Sequence, residues 1–203
     1  MKMRFLAGLA AGWLLAAPAF AQFEFDYVGE DGSTPNRLRV GGALYNGPRY
    51  LGSDERRTLL LPVGNYRWGD GWFAGTGNGI GYEFSRQRGT RFGVRATFDP
   101  GRRESRSDAL RGMGNISPHP EIGVYFNQAL VQDLQLTTSL RFGAAGTGLV
   151  GDIGLGTGFD LGSSVYLRVA ALATLANGHY MQEFFGVSAG QAQNSGYPQT
   201  DAG

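Results

Sequence analysis

The sequence contains no cysteine, only two histidines and no excess of charge of either sign. Without cysteine there is no disulfide framework, no thiolate nucleophile and no thiolate metal site. The near-neutral balance excludes the strong positive field expected of a protein that binds nucleic acid or an anionic membrane surface. Beyond residues 1–21 the chain also lacks any apolar run of about 18 residues, which excludes membrane-spanning helices. A β-barrel stays open, because its strands alternate apolar and polar residues and never form apolar blocks.

Residues 1–21 predict a signal peptide. Two basic residues precede an apolar segment at 5–17, and small residues follow it, as signal peptidase requires. We expect cleavage between Ala21 and Gln22, which leaves a mature domain of residues 22–203. The alternative, a membrane-anchoring helix, is disfavoured because the apolar segment is shorter than the roughly 20 residues that span a bilayer.

Glycine is abundant, at 34 of 203 residues, which is more than double the average usage of about 7%. It alternates with larger residues inside segments that resemble β-strands, where it allows the bending that a barrel wall needs. In residues 91–98, one face carries only apolar side chains and the other carries Arg, Gly and Thr. The first long hairpin turns at Gly69-Asp70-Gly71, since Asp-Gly is a strong tight-turn signal. The predicted strands are 37–45, 58–67, a return strand ending at Phe84, 91–98, 121–127, 134–142, 153–161 and 165–175, with 23–27 as a candidate ninth.

The polar faces of these strands favour a membrane barrel over a secreted β-sandwich, which would alternate in the same way. Arg, Glu, Gln and Gly share one face. Phe84, Phe98 and Phe126 lie on the apolar face near strand ends, as in the aromatic girdle of a barrel with a polar lumen. Together with the signal peptide, the pattern predicts an all-β, antiparallel transmembrane β-barrel of the bacterial outer membrane.

Loop lengths predict the orientation, because outer-membrane barrels have short periplasmic turns and long extracellular loops. We expect the long connections at 99–119 and 177–203 outside. The short turns expected in the periplasm are 85–89, 129–133 and 161–164. The same count of strands places the connection at 50–54 on the periplasmic side and the tight turn at 69–71 outside.

Two motifs suggest enzymes but lack the context that the chemistry needs. Residues 186–190 match G-x-S-x-G, yet no histidine follows the serine, as a nucleophile elbow requires. Residues 146–151 match G-x-G-x-x-G, yet the next segment alternates like a strand and does not open a helix. His119 lies between two prolines and His179 lies in a turn-like segment, so neither spacing predicts a metal site. We expect no catalytic residue, no cofactor and no metal.

Four sequence blocks resemble a known family. They are Y-x-G-S-D at 50–54, L-x-P-V-x-x-Y-R-x-G-D at 60–70, L-R-G-M-G at 110–114 and F-F-G-V-S at 184–188. In this order they resemble the MipA/OmpV family of Gram-negative outer-membrane proteins, the MltA-interacting protein group. The resemblance implies a scaffold, embedded in outer-membrane lipid, that helps to join a murein-degrading lytic transglycosylase to a bifunctional penicillin-binding protein.

The connection at 50–57 is the segment predicted to contact such a partner. It combines an aromatic side chain, a flexible glycine and paired charges, which protein interfaces favour, and murein enzymes work in the periplasm, where the strand count places it. The predicted partner-binding residues are Tyr50, Gly52, Ser53, Asp54 and Arg56. The structural alternative is a capped turn, in which Ser53 and Asp54 satisfy local backbone groups.

Two further functions stay open for the whole chain. One is an outer-membrane pore, suggested by a lumen that carries glycine and arginine, and the other is an outer-membrane hydrolase. The chain ends in a polar segment at 199–203, without the terminal aromatic strand that family members carry. We therefore expect a C-terminally truncated member that lacks the last strands of its barrel.

Overall fold

The computed structural model describes residues 36–85, 87, 89–131, 134–160 and 166–203. These residues form one antiparallel sheet of nine strands in which each strand pairs with the next along the chain. The predicted signal peptide, its cleavage site and the candidate strand at 23–27 lie outside the described residues. The strands are β1 Arg37–Pro48, β2 Arg56–Arg67, β3 Trp72–Gly75, β4 Gly79–Glu83, β5 Thr90–Asp99, β6 His119–Val131, β7 Leu134–Gly143, β8 Gly148–Asp160 and β9 Tyr166–Ala176.

The all-β antiparallel class predicted from alternation is confirmed, and the helices are short. In the described ranges they are α1 Gly178–Phe185, α2 Ala189–Ser195 and three 3-10 turns at Glu104–Arg106, Asp108–Leu110 and Ala144–Gly146. Among the described residues, no helix has the length and apolar character needed to cross a membrane. The pairings run from β1 to β9, and within the described part of the chain none joins these two end strands to each other.

The predicted return strand ending at Phe84 is wrong in one respect, because it is two short strands. β3 and β4 form their own hairpin, in which Gly75 pairs with Gly79. The segment between them is rich in glycine, and Gly79 adopts a positive φ of 71° that residues with a side chain rarely adopt. The chain therefore reverses at 76–78, and the alternation of apolar residues did not predict this turn.

This extra reversal changes which connections share an end of the sheet. With β3 and β4 counted separately, the connection at 49–55 lies at the same end as those at 100–118 and 177–203. The opposite end carries the turn at 68–71, and β4 and β6 also end there. The prediction that 50–54 lies at the end opposite the two long connections is therefore wrong.

The sheet is inverted relative to a soluble protein, because its polar face is buried and its apolar face is exposed. Along β5, Arg95, Thr97 and Asp99 are buried, whereas Val94 and Phe98, which alternate with them, are exposed. The same alternation continues along β6. A polar inward face and an apolar outward face are the pattern of a membrane barrel wall, as the alternation predicts.

Contacts between strands that are not neighbours show that the sheet is strongly curved. Arg67 on β2 bonds Glu83 on β4, with 2.9 Å between nitrogen and oxygen. Phe73 on β3 packs edge-on against Tyr125 on β6, with ring centroids 5.8 Å apart. Residues three strands apart on a flat sheet are about 14 Å from each other, so the contact of Phe73 with Tyr125 requires a curvature that encloses the polar face.

The three connections at one end pack together into a cap, which we define as residues 49–55, 100–118 and 177–203. Its small apolar core sits on the ends of β8 and β9. Hydrogen bonds then join the connections to one another: Ser107 donates to Glu55, and Gln191 donates to the carbonyl of Met113. The residues of the apolar core are Ile116, Val150, Tyr180 and Phe184, with Leu51 and Ala176 packed against them.

Side-chain caps begin both helices of this region. Asn177 accepts a hydrogen bond from the Tyr180 amide at the start of α1. Ser188 forms a capping box with Gln191 at the start of α2, which satisfies two backbone donors that a helix otherwise leaves unpaired. The serine of the G-x-S-x-G match is thus a helix cap. The glycine-rich match at 146–151 leads into β8 and opens no helix, as predicted.

Candidate functional site

A cluster of buried ionisable side chains lies on the polar face, directly beneath the cap. In the register of β5 with β6, Asp99 stands opposite His119 and Thr97 stands opposite Glu121. Residues two apart on a strand share a face, so all four side chains point to the same side. The exposed fractions are 5% for Asp99, 6% for His119 and 2% for Glu121.

Arg141 on β7 links this group to the next strand. Its Nη1 donates to both carboxylate oxygens of Glu121 at 3.0 and 2.9 Å, and its Nη2 donates to Asp152 on β8 at 2.8 Å. Hydroxyl groups complete the shell: Ser139 and Thr174 donate to the Asp152 carboxylate. One guanidinium thus ties β6 to β8 inside the curved sheet, in the planar geometry that favours arginine over lysine.

A second, partly buried cluster lies on the same face, further from the cap. The Glu83 carboxylate accepts hydrogen bonds from Arg67 at 2.9 Å, Arg91 at 2.8 Å and the Tyr125 hydroxyl at 3.2 Å. The guanidinium of Arg95 lies over the Tyr125 ring, 5.4 Å from its centroid. Side chains from four strands therefore meet here, and they fill the concave side of the sheet.

Asp99 and His119 differ from the other members of the first cluster in their partners. The Asp99 carboxylate accepts a hydrogen bond from the Gly101 amide at 2.7 Å. The Nδ1 of His119 lies 3.1 Å from the Ser117 carbonyl oxygen, and a carbonyl can only accept, so Nδ1 carries the proton. In the neutral imidazole, the lone pair is then on Nε2. No other described residue forms an ion pair or hydrogen bond with either side chain.

Asp99, His119 and Glu121 can together ligate a metal ion, because one ligand atom of each lies within 4.8 Å of the other two. Sequence analysis did not find this group, since it treated the two histidines as isolated. His119 and Glu121 are two residues apart, but Asp99 lies on the other side of the long connection at 100–118, so no short spacing links all three. The signal that was available is the pairing of the residue that ends β5 with the residue that begins β6.

Arg102 is the buried cation of the cap itself. Its Nη1 donates to the carbonyl of Phe184 at 2.7 Å, and this bond holds the 100–118 connection against α1. Nε and Nη2 are buried without a hydrogen-bond partner among the described residues. Burial lowers the pKa of Arg102 from its ordinary value, and the nearby Glu183 partly offsets that effect.

The residues predicted to contact a partner lie in the cap or at its edge, and several serve local structure. Ser53 accepts a hydrogen bond from the Glu55 amide, as in the capped-turn alternative. Gly52 has a positive φ of 83° beside the ring of Phe185. The remaining two charged residues differ: Arg56 donates to the side chain and the backbone carbonyl of Asn46 on β1, whereas Asp54 is exposed.

Comparison with known proteins gives one match. A protein-family model described as MltA-interacting protein MipA matches residues 40–203. That span includes every described strand except the first residues of β1, and it includes the whole cap. No curated protein and no solved structure matches the chain.

Proposed function

Because the chain belongs to the MltA-interacting protein MipA family, we propose that it is an outer-membrane protein that binds a lytic transglycosylase. In this role it is a scaffold that keeps a murein-degrading enzyme at the membrane, close to a bifunctional penicillin-binding protein. The observation that carries the proposal is the family match over residues 40–203. The proposal assigns no catalytic step to the chain.

The exposed apolar face supports a position in the outer membrane. Large apolar side chains that are half-exposed or more recur on β5, β6, β7 and β8, for example Phe98, Val124, Phe142 and Ile153. An exposed apolar surface of this extent is rare on soluble monomers. Lipid is the partner that such a surface fits, since hydrocarbon replaces the water that would otherwise contact it.

The transglycosylase has to meet the end of the barrel that faces the periplasm. Long connections favour an extracellular cap, so we place this contact at the opposite end, which includes the turn at 68–71. The predicted partner residues Tyr50, Gly52, Ser53, Asp54 and Arg56 are in or beside the cap, so they serve this enzyme only if the cap faces the periplasm.

Single-cysteine labelling tests the orientation cleanly, because the chain has no cysteine of its own. Asp54→Cys reports the cap end. Gly69→Cys reports the opposite end, where an added side chain meets no atom within 4 Å. In intact cells a membrane-impermeant maleimide should label Asp54→Cys, and should label Gly69→Cys only after the outer membrane is permeabilised. The reverse pattern would return the cap residues to the periplasm.

Crosslinking then tests the partner. A photoreactive residue at position 70 should capture the transglycosylase in cells, whereas one at position 54 should not. Failure of the transglycosylase to co-purify with the wild-type protein, with or without crosslinking, would overturn the scaffold proposal whatever the orientation.

A solute channel is the second candidate, favoured by the polar inward face. Against it, the ion pairs of Arg141 and of Glu83 link side chains from different strands across that face. Planar-bilayer recordings separate the two functions. The scaffold proposal expects no steady single-channel steps from the purified protein, and reproducible steps would favour the channel.

A further inference from the structure

The buried group beneath the cap has the composition of a metal site. Asp99, His119 and Glu121 supply two carboxylates and one imidazole, and one ligand atom of each lies within 4.8 Å of the other two. All three side chains are more than nine-tenths buried. Mixed nitrogen and oxygen ligands of this kind suit divalent ions of the first transition row, Zn²⁺ among them.

The orientation of His119 is a second, independent observation that points to a ligand. Its Nδ1–H donates to the Ser117 carbonyl, which is the arrangement that orients metal-binding histidines and directs the other nitrogen to the ion. In the neutral imidazole, Nε2 therefore presents its lone pair within a buried site, with no hydrogen-bond donor for it among the described residues. Gly143, opposite Glu121 on β7, lies next to this nitrogen, and the Thr147 hydroxyl occupies the space that a side chain at that position would fill.

The charges around the site also favour binding of a cation. Arg141 is bound to Glu121 and Asp152, while the described hydrogen-bond partner of Asp99 is a backbone amide. Asp99, Glu121 and Asp152 thus place three buried carboxylates at this end of the sheet, where the charges of Arg141 and Arg106 act on Asp99 without a hydrogen bond to it. A buried carboxylate is costly without a cation beside it, and a divalent ion at Asp99 would supply one.

We propose that Asp99, His119 and Glu121 bind one divalent transition-metal ion beneath the cap. The ion would join the end of β5 to the start of β6, where the 100–118 connection leaves and re-enters the sheet. It would thereby anchor the base of the cap, and bound metal should stabilise the folded protein in proportion to its free concentration. The inference does not depend on the transglycosylase, and either can fail without the other.

The test uses the full chain purified in detergent, stripped with a chelator and titrated with Zn²⁺ against a chromophoric competitor. We expect one equivalent of Zn²⁺ to bind the wild type. His119→Gln should weaken binding at least about 10- to 100-fold, the range seen when metal-site hydrogen-bond partners are lost. The matched control is His179→Gln, because His179 is the other histidine of the chain and is exposed; it should bind like wild type.

Two further measurements keep the result decisive. Co²⁺ in place of Zn²⁺ should give visible absorption bands in the wild type that change in His119→Gln and persist in His179→Gln. If His119→Gln does not fold, as judged by circular dichroism, Asp99→Asn provides the same comparison. Absence of a Zn²⁺ equivalent in the wild type, equal affinity in a folded ligand variant, or loss of binding in His179→Gln would overturn the proposal.

Discussion

Replacement of Arg141 by alanine tests whether the buried ion pairs hold the sheet together. The guanidinium makes hydrogen bonds to Glu121 and Asp152 at 2.8–3.3 Å. The side chains of Arg141, Glu121 and Asp152 are only 5%, 2% and 7% exposed. Loss of Arg141 leaves the Glu121 and Asp152 carboxylates buried without their cation. Removing one partner of a buried pair costs about 3–5 kcal/mol of folding stability. We expect the free energy of unfolding to fall by that amount.

The assay is urea unfolding of the protein in lipid vesicles, followed by the fluorescence of Trp68 and Trp72. Arg111→Ala is the matched control, since its ion pair with Asp108 is exposed, at 78% and 92%, and exposed pairs contribute at most about 1 kcal/mol. A further variant, Arg141→Leu with Glu121→Gln and Asp152→Asn, removes all three charges. It should recover more than half of the loss, because the cost arises from uncompensated charge.

A loss below about 1 kcal/mol in Arg141→Ala, equal to that of the exposed control, would refute this reasoning. It would mean that water or another cation reaches Glu121 and Asp152 once the arginine is gone. The interior beneath the cap would then be hydrated rather than closed. The triple variant separates that outcome from an effect of lost packing alone, since it keeps the shape of both carboxylate side chains.

Three other predictions concern the wall and the cap. Val124→Arg places a charge on the exposed apolar face and should destabilise the membrane-inserted protein by about 2–4 kcal/mol. Val124→Leu should be near neutral. The heat-modifiable gel mobility of each variant, reconstituted in vesicles, compares the two. Gly81→Ala should cost about 1–3 kcal/mol, because the added methyl group would overlap the Val94 carbonyl, whereas Gly64→Ala meets no atom within 4 Å and should be tolerated in the same unfolding assay. Burial, and after it the charge of Asp99, raises the pKa of Tyr180. The stability that the neutral phenol provides is therefore present below about pH 10 and declines above it. Between about pH 9 and 11, Tyr180→Phe should lose less stability than the wild type.

Alternation alone was enough to predict the wall of this protein. In β5 the sequence places Arg95 and Thr97 on one face and Val94 and Phe98 on the other, and burial follows that division with the polar face inside. The period of two is a local property of an extended chain, so it requires no knowledge of the partner strands. The family is visible for the same reason, since its blocks are contiguous in the chain.

The position of the connection at 49–55 depended instead on one short hairpin. Strand direction alternates along an antiparallel sheet, so a single missed reversal at 76–78 moves every earlier connection to the other end. The residues of β3 and β4 alternate across that reversal as one strand would. Only the pairing of Gly75 with Gly79 distinguishes the two cases.

Apart from the reversal between β3 and β4, the sequence by itself determined the strand positions, the polar inward face and the family, because each of these depends on residues that are close together along the chain. The tertiary structure alone decided the packing of the cap and the meeting of Asp99, His119 and Glu121. These contacts depend on the register of β5 with β6 across the connection at 100–118 and on the curvature that brings Arg141 and Asp152 to the same buried face. Register and curvature are set by the summed pairing and packing of many strands, and no local pattern of residues encodes them.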